Sequence, residues 1–184
     1  MKKISAVLLF SIMFKVILSQ PSTPNSFLGI ILGTKTAKFL SSYSDAQKGN
    51  FWSIHTNISA KGMVVYSINR KTQGGDNVKI DCCFYDDILS VIDVKYSGYQ
   101  SGTDMLDGLE GKYGTFSNSD VIKWRDVMNG QYRTTSIVYW NKPSVILNFV
   151  YTDELGSAEL LFADKAIQQK LREQEQKKNV SKIE

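Results

Sequence analysis

The hydrophobic positions of this chain change period several times along its length, and each change marks an element. Residues 4–14 (ISAVLLFSIMF) are almost continuously apolar, and the run is interrupted at Lys15. After a polar, proline-containing stretch at 20–26, residues 27–33 (FLGIILG) form a short apolar run with glycines four apart. Behind it, Thr34 suits a helix N-cap, and Ala37, Leu40 and Phe39 with Tyr43 recur at helical spacing, which predicts a helix over 35–44. From Phe51 the period drops to two: Trp52, Ile54, Thr56 and Ile58 alternate with Ser53, His55 and Asn57. Further β-rich runs at 63–69, 78–85 and 89–96 are separated by short turn-forming stretches, Asp86-Asp87 among them, which predicts an antiparallel meander.

The second half repeats this plan. Gly102-Thr103 opens a predicted helix whose Met105 or Leu106, Leu109 and Tyr113 share a face, and Gly114 suits the position just past its end. Strand-like runs follow at 121–128, 132–140, 145–151 and 158–162. The segment 85–96 (YDDILSVIDVKY) aligns without gaps with 151–162 (YTDELGSAELLF), so that Tyr85 falls on Tyr151, Asp93 on Glu159 and Tyr96 on Phe162. Such self-similarity predicts an α+β fold of two tandem helix-plus-antiparallel-meander repeats, at 27–98 and 99–163, with the helices on one face of the sheet. From Asp164 the pattern turns helical and charged. Ala166, Ile167 and Leu171 supply one apolar turn, and the rest of 164–184 is expected to be a solvated helix fraying into a disordered tail.

Charge changes the picture once the N-terminus is set apart. The whole chain carries +4, but Lys2, Lys3 and Lys15 lie in the first nineteen residues, which hold no acid; the remainder has 19 basic against 18 acidic residues. That balance lacks the clustered cationic footprint of a duplex-DNA binder, and no nucleic-acid partner is expected. Lys2-Lys3, the apolar run and the small residue Ser19 read as a secretory signal peptide over 1–19, followed by a linker at 20–26. The run is too short for a span of about 20 residues, and no membrane span is expected after cleavage. An exported, periplasmic or secreted chain follows, with an uncleaved leader tethering a scaffold as an alternative.

The apolar-Gly-apolar-Gly-Thr entry into a short helix (FLGIILGTKTAKFL), the strand meander, the helix ending Lys112-Tyr113-Gly114 and the near-repetition of the unit resemble a group of small exported bacterial domains. These are the β-lactamase-inhibitor-protein-like folds and the small lipoproteins of outer-membrane assembly. The resemblance covers 27–163 and implies helices over one face of an antiparallel sheet whose other face meets a partner. The lipoprotein branch carries a lipidated cysteine that has no counterpart near residue 19.

Catalytic chemistry finds little to stand on. His55 is the only histidine, and its alternation with Ile54 reads as a strand residue; Cys82 and Cys83 are adjacent, so they point to opposite faces and read as two small hydrophobes. One histidine and an unspaced cysteine pair offer no zinc site, and no cofactor or metal is expected. Asp81, Asp93, Asp126 and Glu159 fall on predicted strands; they underlie an alternative reading as a small secreted hydrolase, against the commoner case of acids on a solvated face. The signal that remains is aromatic. Trp52, Tyr66, Trp124, Tyr132, Tyr139 and Trp140 sit among polar neighbours in strands, and Trp and Tyr are enriched where proteins bind partners. The sequence therefore points to a non-catalytic module that recognises a protein or other envelope component through its sheet face, with these six as anchors.

Overall fold

The computed structural model of the chain describes residues 25–53, 58–72, 75, 77–98, 102–152 and 155–180. The short apolar run after the linker is a hairpin of two strands, β1 (Ser26–Phe27) and β2 (Ile30–Ile31). Its turn holds Leu28 at φ 47° and Gly29 at φ 80°, the left-handed pair that a two-residue hairpin needs. Phe27 and Ile30 consequently point into the core, and Leu28 and Ile31 point out.

Helix α1 (Thr36–Ser42) follows, then β3 (Gln47–Gly49), β4 (Val64–Lys71), β5 (Asn77–Tyr85) and β6 (Ile88–Ser97). Helix α2 (Gly102–Tyr113) leads into β7 (Asn118–Arg125), β8 (Tyr132–Asn141), β9 (Val145–Thr152) and β10 (Ser157–Asp164), and α3 (Lys165–Val180) ends the described chain. The eight strands from β3 onward form one antiparallel sheet in the order β3-β4-β5-β6-β10-β9-β8-β7. The fold is α+β. Two meanders of consecutive strands meet where β6 pairs with β10, with Val94 opposite Leu160 and Ile92 opposite Phe162.

Alternation along the strands builds two unequal cores. One face carries Ile80, Cys82 and Phe84 of β5, Ile92 and Val94 of β6, Leu147 and Phe149 of β9, and Leu160 and Phe162 of β10. The β1–β2 hairpin, Phe39 of α1 and Tyr113 of α2 close over it, with Leu40, Met105, Leu106 and Leu109 packed alongside. The opposite face has a smaller cluster of Val65, Cys83, Val91, Leu161 and Ala163, packed with Phe51, Ile58, Met63 and Ile146. The adjacent cysteines thus divide between the two faces, and both are buried free thiols.

Several sequence expectations shift. Lys35, not Thr34, is the N-cap of α1, without a side-chain bond, because the Thr34 carbonyl is taken by the Leu89 N–H at 2.9 Å and Lys35 bridges Ile88. Of the strand expected from Phe51, the described residues 51–53 and 58 belong to no strand and cross the second face: Lys95 Nζ donates to the Trp52 carbonyl, and Phe51 and Ile58 turn into the smaller core. Residues 54–57, including His55, lie outside the described residues. Strand β7 ends at Arg125 instead of running to Met128, since the Asp126 carboxylate accepts the Met128 N–H at 2.9 Å and Gly130, at φ 70°, turns the chain. Helix α3 is held beyond its apolar turn: Gln168, fully buried, exchanges two hydrogen bonds with the Ser59 backbone at 2.9 and 3.0 Å, and Glu175 accepts the Ser59 hydroxyl. At the start of α2, a Cβ on Gly102 would stand 2.1 Å from the Tyr151 ring, so only glycine lets the helix pass that close.

Phe39 is the only buried side chain of the seven-residue α1, and its ring lies 5.2 Å from that of Phe84. Phe39→Ala is expected to lower the unfolding free energy by about 3–5 kcal/mol, measured as a shift of the urea midpoint at unchanged slope.

Candidate functional site

Charged residues occupy the centre of the second sheet face, where solvated acids were expected. Asp81 on β5 stands directly opposite Asp93 on β6, and Lys95 on β6 stands opposite Glu159 on β10. Asp81, Asp93 and Glu159 are all buried. Directly opposed like charges repel, and Lys95 resolves the conflict: its Nζ lies 2.5 Å from Asp81 Oδ2 and 3.2 Å from Asp93 Oδ2. Lys79 Nζ reaches Asp81 Oδ1 at 3.2 Å, and the Ser67 hydroxyl donates to the same oxygen at 2.6 Å. The loop after β3 seals the cluster, with Ser53 donating to Glu159 and the Phe51 and Trp52 rings 5.8 and 5.9 Å from Lys95 Nζ.

This arrangement drives two neighbouring acids apart. Burial, and then the charge of Glu159 beside it, pushes the Asp93 carboxyl well above the ordinary range. Burial works the same way on Asp81, but hydrogen bonds from Lys95 and Ser67 outweigh it and hold that carboxyl below the ordinary value. Burial opposes the charge on Lys95, and the Asp93 and Asp81 carboxylates more than offset it, so its pKa is raised. Two neighbouring acids whose pKa values are pushed apart are the pairing that acid–base chemistry uses. Asp93, however, has 0% exposure, so no solute reaches it. Asp126, the fourth acid on predicted strands, lies in the β7–β8 turn and pairs with Arg133 at 3.4 Å.

Beside the acids the same face opens into an apolar cleft of about 480 Å³. Trp52, Ile122, Trp124, Ile137, Val150 and Leu155 line it, with Lys95 and Glu159 also contributing. Across the face, Asn148 and Tyr139 line a more polar, open depression bounded by Lys165, Gln169 and Arg172 of α3.

The six aromatics singled out in the sequence separate here. Trp52, 69% exposed, and Trp124 meet at the apolar cleft, and Trp124 Nε1 donates to the Thr135 hydroxyl at 2.9 Å. Tyr139 lines the polar depression, where burial and then its hydrogen bond to Asp120 push its hydroxyl up. Tyr132 is exposed at the start of β8, away from the cleft lining. Tyr66 and Trp140 belong to the helix-covered core. Tyr66 is edge-on to Phe84, and Trp140 is edge-on to Phe116 while its Nε1 bonds the Gly114 carbonyl at 2.5 Å. Register explains the split, because Tyr66 and Trp140 share strand parity with Ile68 and Val138 on the core side. Reading the aromatics alone missed Ile122, Ile137, Val150 and Leu155. The period-two pattern carried that information, since Ile137 and Val150 are cross-strand partners on the same face. No protein-family model, curated protein or solved structure matches the chain.

The acids give a pH dependence with opposite signs. A carboxyl whose folded pKa is raised contributes stability that is full below its ordinary 3.8 and is lost as pH climbs through the folded value, which is the case of Asp93. Asp81, lowered, contributes stability that is present above 3.8 and is lost as pH falls. Asp93→Asn is therefore expected to raise the thermal midpoint at mildly alkaline pH and to give no comparable gain below about pH 4. Asp81→Asn is expected to cost about 1–3 kcal/mol at neutral pH. Thermal melts across that range check both, and a pH-independent effect of Asp93→Asn contradicts the assignment.

Proposed function

We propose that the chain is an exported, non-catalytic binding module that recognises a protein or other envelope component through the face of its sheet opposite α1 and α2. The observation that carries this reading is the apolar cleft on that face, where exposed Trp52, Ile122 and Leu155 stand over a fixed charged floor. Clefts of this size with apolar walls and a few placed polar groups are the usual form of a recognition site. Export rests on the leader-like pattern of residues 1–19; no helix among the described residues is long and apolar enough to cross a membrane.

The same reading takes the body to be a tandem repeat of helix plus four strands. In its favour, α1 precedes β3–β6 and α2 precedes β7–β10, and the gapless match of 85–96 with 151–162 puts Val94 on Leu160, which are cross-strand partners. A pseudo-twofold axis through that pair relates Asp93 to Glu159, so the acidic floor of the site would be one position used twice.

A hydrolase using strand carboxylates has the raised pKa of Asp93 beside Glu159 in its favour and the full burial of Asp93 against it. One comparison separates the readings. A partner captured from the envelope of the producing host by the full-length chain is expected to bind Trp124→Ala about thirtyfold more weakly, as a central aromatic anchor would, and to bind Asp93→Asn unchanged. Titration calorimetry with the recovered partner measures both. Undiminished binding by Trp124→Ala removes the cleft from the interface, and turnover of a substrate that Asp93→Asn abolishes favours the hydrolase.

A further inference from the structure

The two edges of the sheet are not alike. Strand β3 is three residues long, a short edge of the kind that resists further pairing. Strand β7 is eight residues long, lacks proline, and exposes every side chain but Trp124. Of the ten exposed large hydrophobic residues among those described, five lie on β7 or the hairpin it opens: Val121, Ile122, Val127, Met128 and Tyr132. Val127 and Met128, 94% and 90% exposed, are displayed by an ordered turn. The Asp126 N–H bonds the Gln131 carbonyl at 2.8 Å, the Gly130 N–H bonds the Asp126 carbonyl at 2.7 Å, and Asn129 Oδ1 accepts the Gln131 N–H at 3.0 Å.

The backbone phase of β7 follows from the same turn. Asp126 and Gln131 are a hydrogen-bonded pair in the register that runs through Arg125 opposite Tyr132 and Trp124 opposite Arg133. Hydrogen-bonded and non-hydrogen-bonded pairs alternate in an antiparallel ladder. The even-numbered residues of β7 therefore turn their N–H and C=O groups to β8, and Ser119, Val121, Lys123 and Arg125 turn theirs outward.

We infer that this edge pairs with the β7 edge of a second copy of the chain, antiparallel and centred on Ile122, joining two sheets into one. A twofold axis normal to the sheet keeps each face on its own side, so the axis must pass at a residue opposite itself. Centring on Asp120 or Lys123 confronts like charges, which is destabilising in a cross-strand pair. Centring on Ile122 uses all four outward residues, about eight hydrogen bonds in pairs of two, and sets Ile122 against its counterpart. Centring on Val121 confronts no charges but leaves Arg125 outside the strand-to-strand pairs. Ile122 also lines the apolar cleft, so the two clefts become continuous across the axis. The hairpin tip with Val127 and Met128 then lies along the partner's segment leading into β7. The inference stands apart from the identity of whatever the cleft binds.

The purified full-length protein tests it by light scattering on a sizing column, with three variants. Wild type is expected to run at twice the monomer mass. Val121→Pro removes one outward N–H, which proline does without harm only on a free edge; it is expected to keep the wild-type circular dichroism and to weaken dimerisation at least tenfold. Opposed residues of a non-hydrogen-bonded pair lie about 4.5 Å apart at Cα, within disulfide range. Ile122→Cys is therefore expected to form a covalent dimer under mild oxidation, whereas Asp120→Cys, displaced from the axis, is not; the native cysteines are buried. A monomer at all concentrations overturns the inference, as does a dimer that Val121→Pro leaves intact or one in which Ile122→Cys stays reduced. Capture of an extended segment of a different protein by a monomeric chain also overturns it.

Discussion

The pairing of β6 with β10 is the contact on which the rest of the sheet depends. It joins residues some sixty positions apart, from Ser157 opposite Ser97 to Ala163 opposite Val91. Every other strand pair in the large sheet links neighbours in sequence. Without it, the two meanders would each present a long open edge in the middle of the molecule. Closing a long loop costs entropy that grows only slowly with loop length, and here it is offset on one side by Ile92, Val94, Leu160 and Phe162, all essentially excluded from water. α2 reaches this pairing through Tyr113, edge-on to Phe162, and α1 packs through Phe39 on Phe84 and Tyr66 of the first meander, so both helices are placed by the sheet and not by their own propensity. A seven-residue helix without a side-chain cap would not persist alone.

The opposite side of the same strands follows a different rule. There the inward positions are Asp93, Lys95 and Glu159 with Asp81 beside them, where an apolar layer would have buried as well. Replacing buried ion groups by well-packed hydrophobes is often neutral or stabilising, so stability alone does not account for them. Their effect is directional: the Lys95 ammonium ties β6 to Asp81 of β5 and to the Trp52 carbonyl of the overlying loop. The loop at Phe51–Ser53 is drawn onto the sheet through Lys95 and Glu159, and this places Trp52 at the mouth of the cleft.

The strands and α2 were readable from periodicity, in most cases to within a residue or two, because alternation and turn residues are local signals. The β7 boundary was misplaced because the turn at Asp126–Gly130 contains two large apolar residues, Val127 and Met128, which look like strand continuation until the capping role of Asp126 is known. The segment at Phe51 departs from the strand reading because its described residues are held by side-chain contacts and not by a strand ladder: Lys95 takes the Trp52 carbonyl, and Phe51 and Ile58 pack into the smaller core. The site was legible in part. Aromatic richness located Trp52 and Trp124, but the face on which Tyr66 and Trp140 fall is fixed by register, and register depends on pairings between distant residues. The burial of the acids was invisible for the same reason, since an acid at an alternating position is read as solvated unless the neighbouring strands and loop that cover it are known.

Register and the buried charges are two descriptions of one constraint. In a sheet with apolar residues on both faces, hydrophobicity alone distinguishes poorly between pairings shifted by a step, and β9 and β10 are buried on both sides along most of their length. A shift of β6 against β10 by one residue would exchange the faces, carrying the Lys95–Asp93 pair into the helix-covered core, away from Glu159 and the loop at Phe51–Ser53, with the desolvation cost of burying both there. A shift by two keeps the faces but takes Lys95 away from Glu159, setting Asp93 opposite Glu159 in one direction and Lys95 opposite Leu161 in the other. The contacts of Lys95 with both aspartates are fixed within β5 and β6, and the observed β6–β10 pairing adds Glu159 opposite Lys95, where Ser53 reaches it. The charged cluster thus penalises the alternatives more than it stabilises the native sheet, and the apolar cleft lies beside it because Val150 stands opposite Glu159, and Ile137 opposite Val150, on the same face.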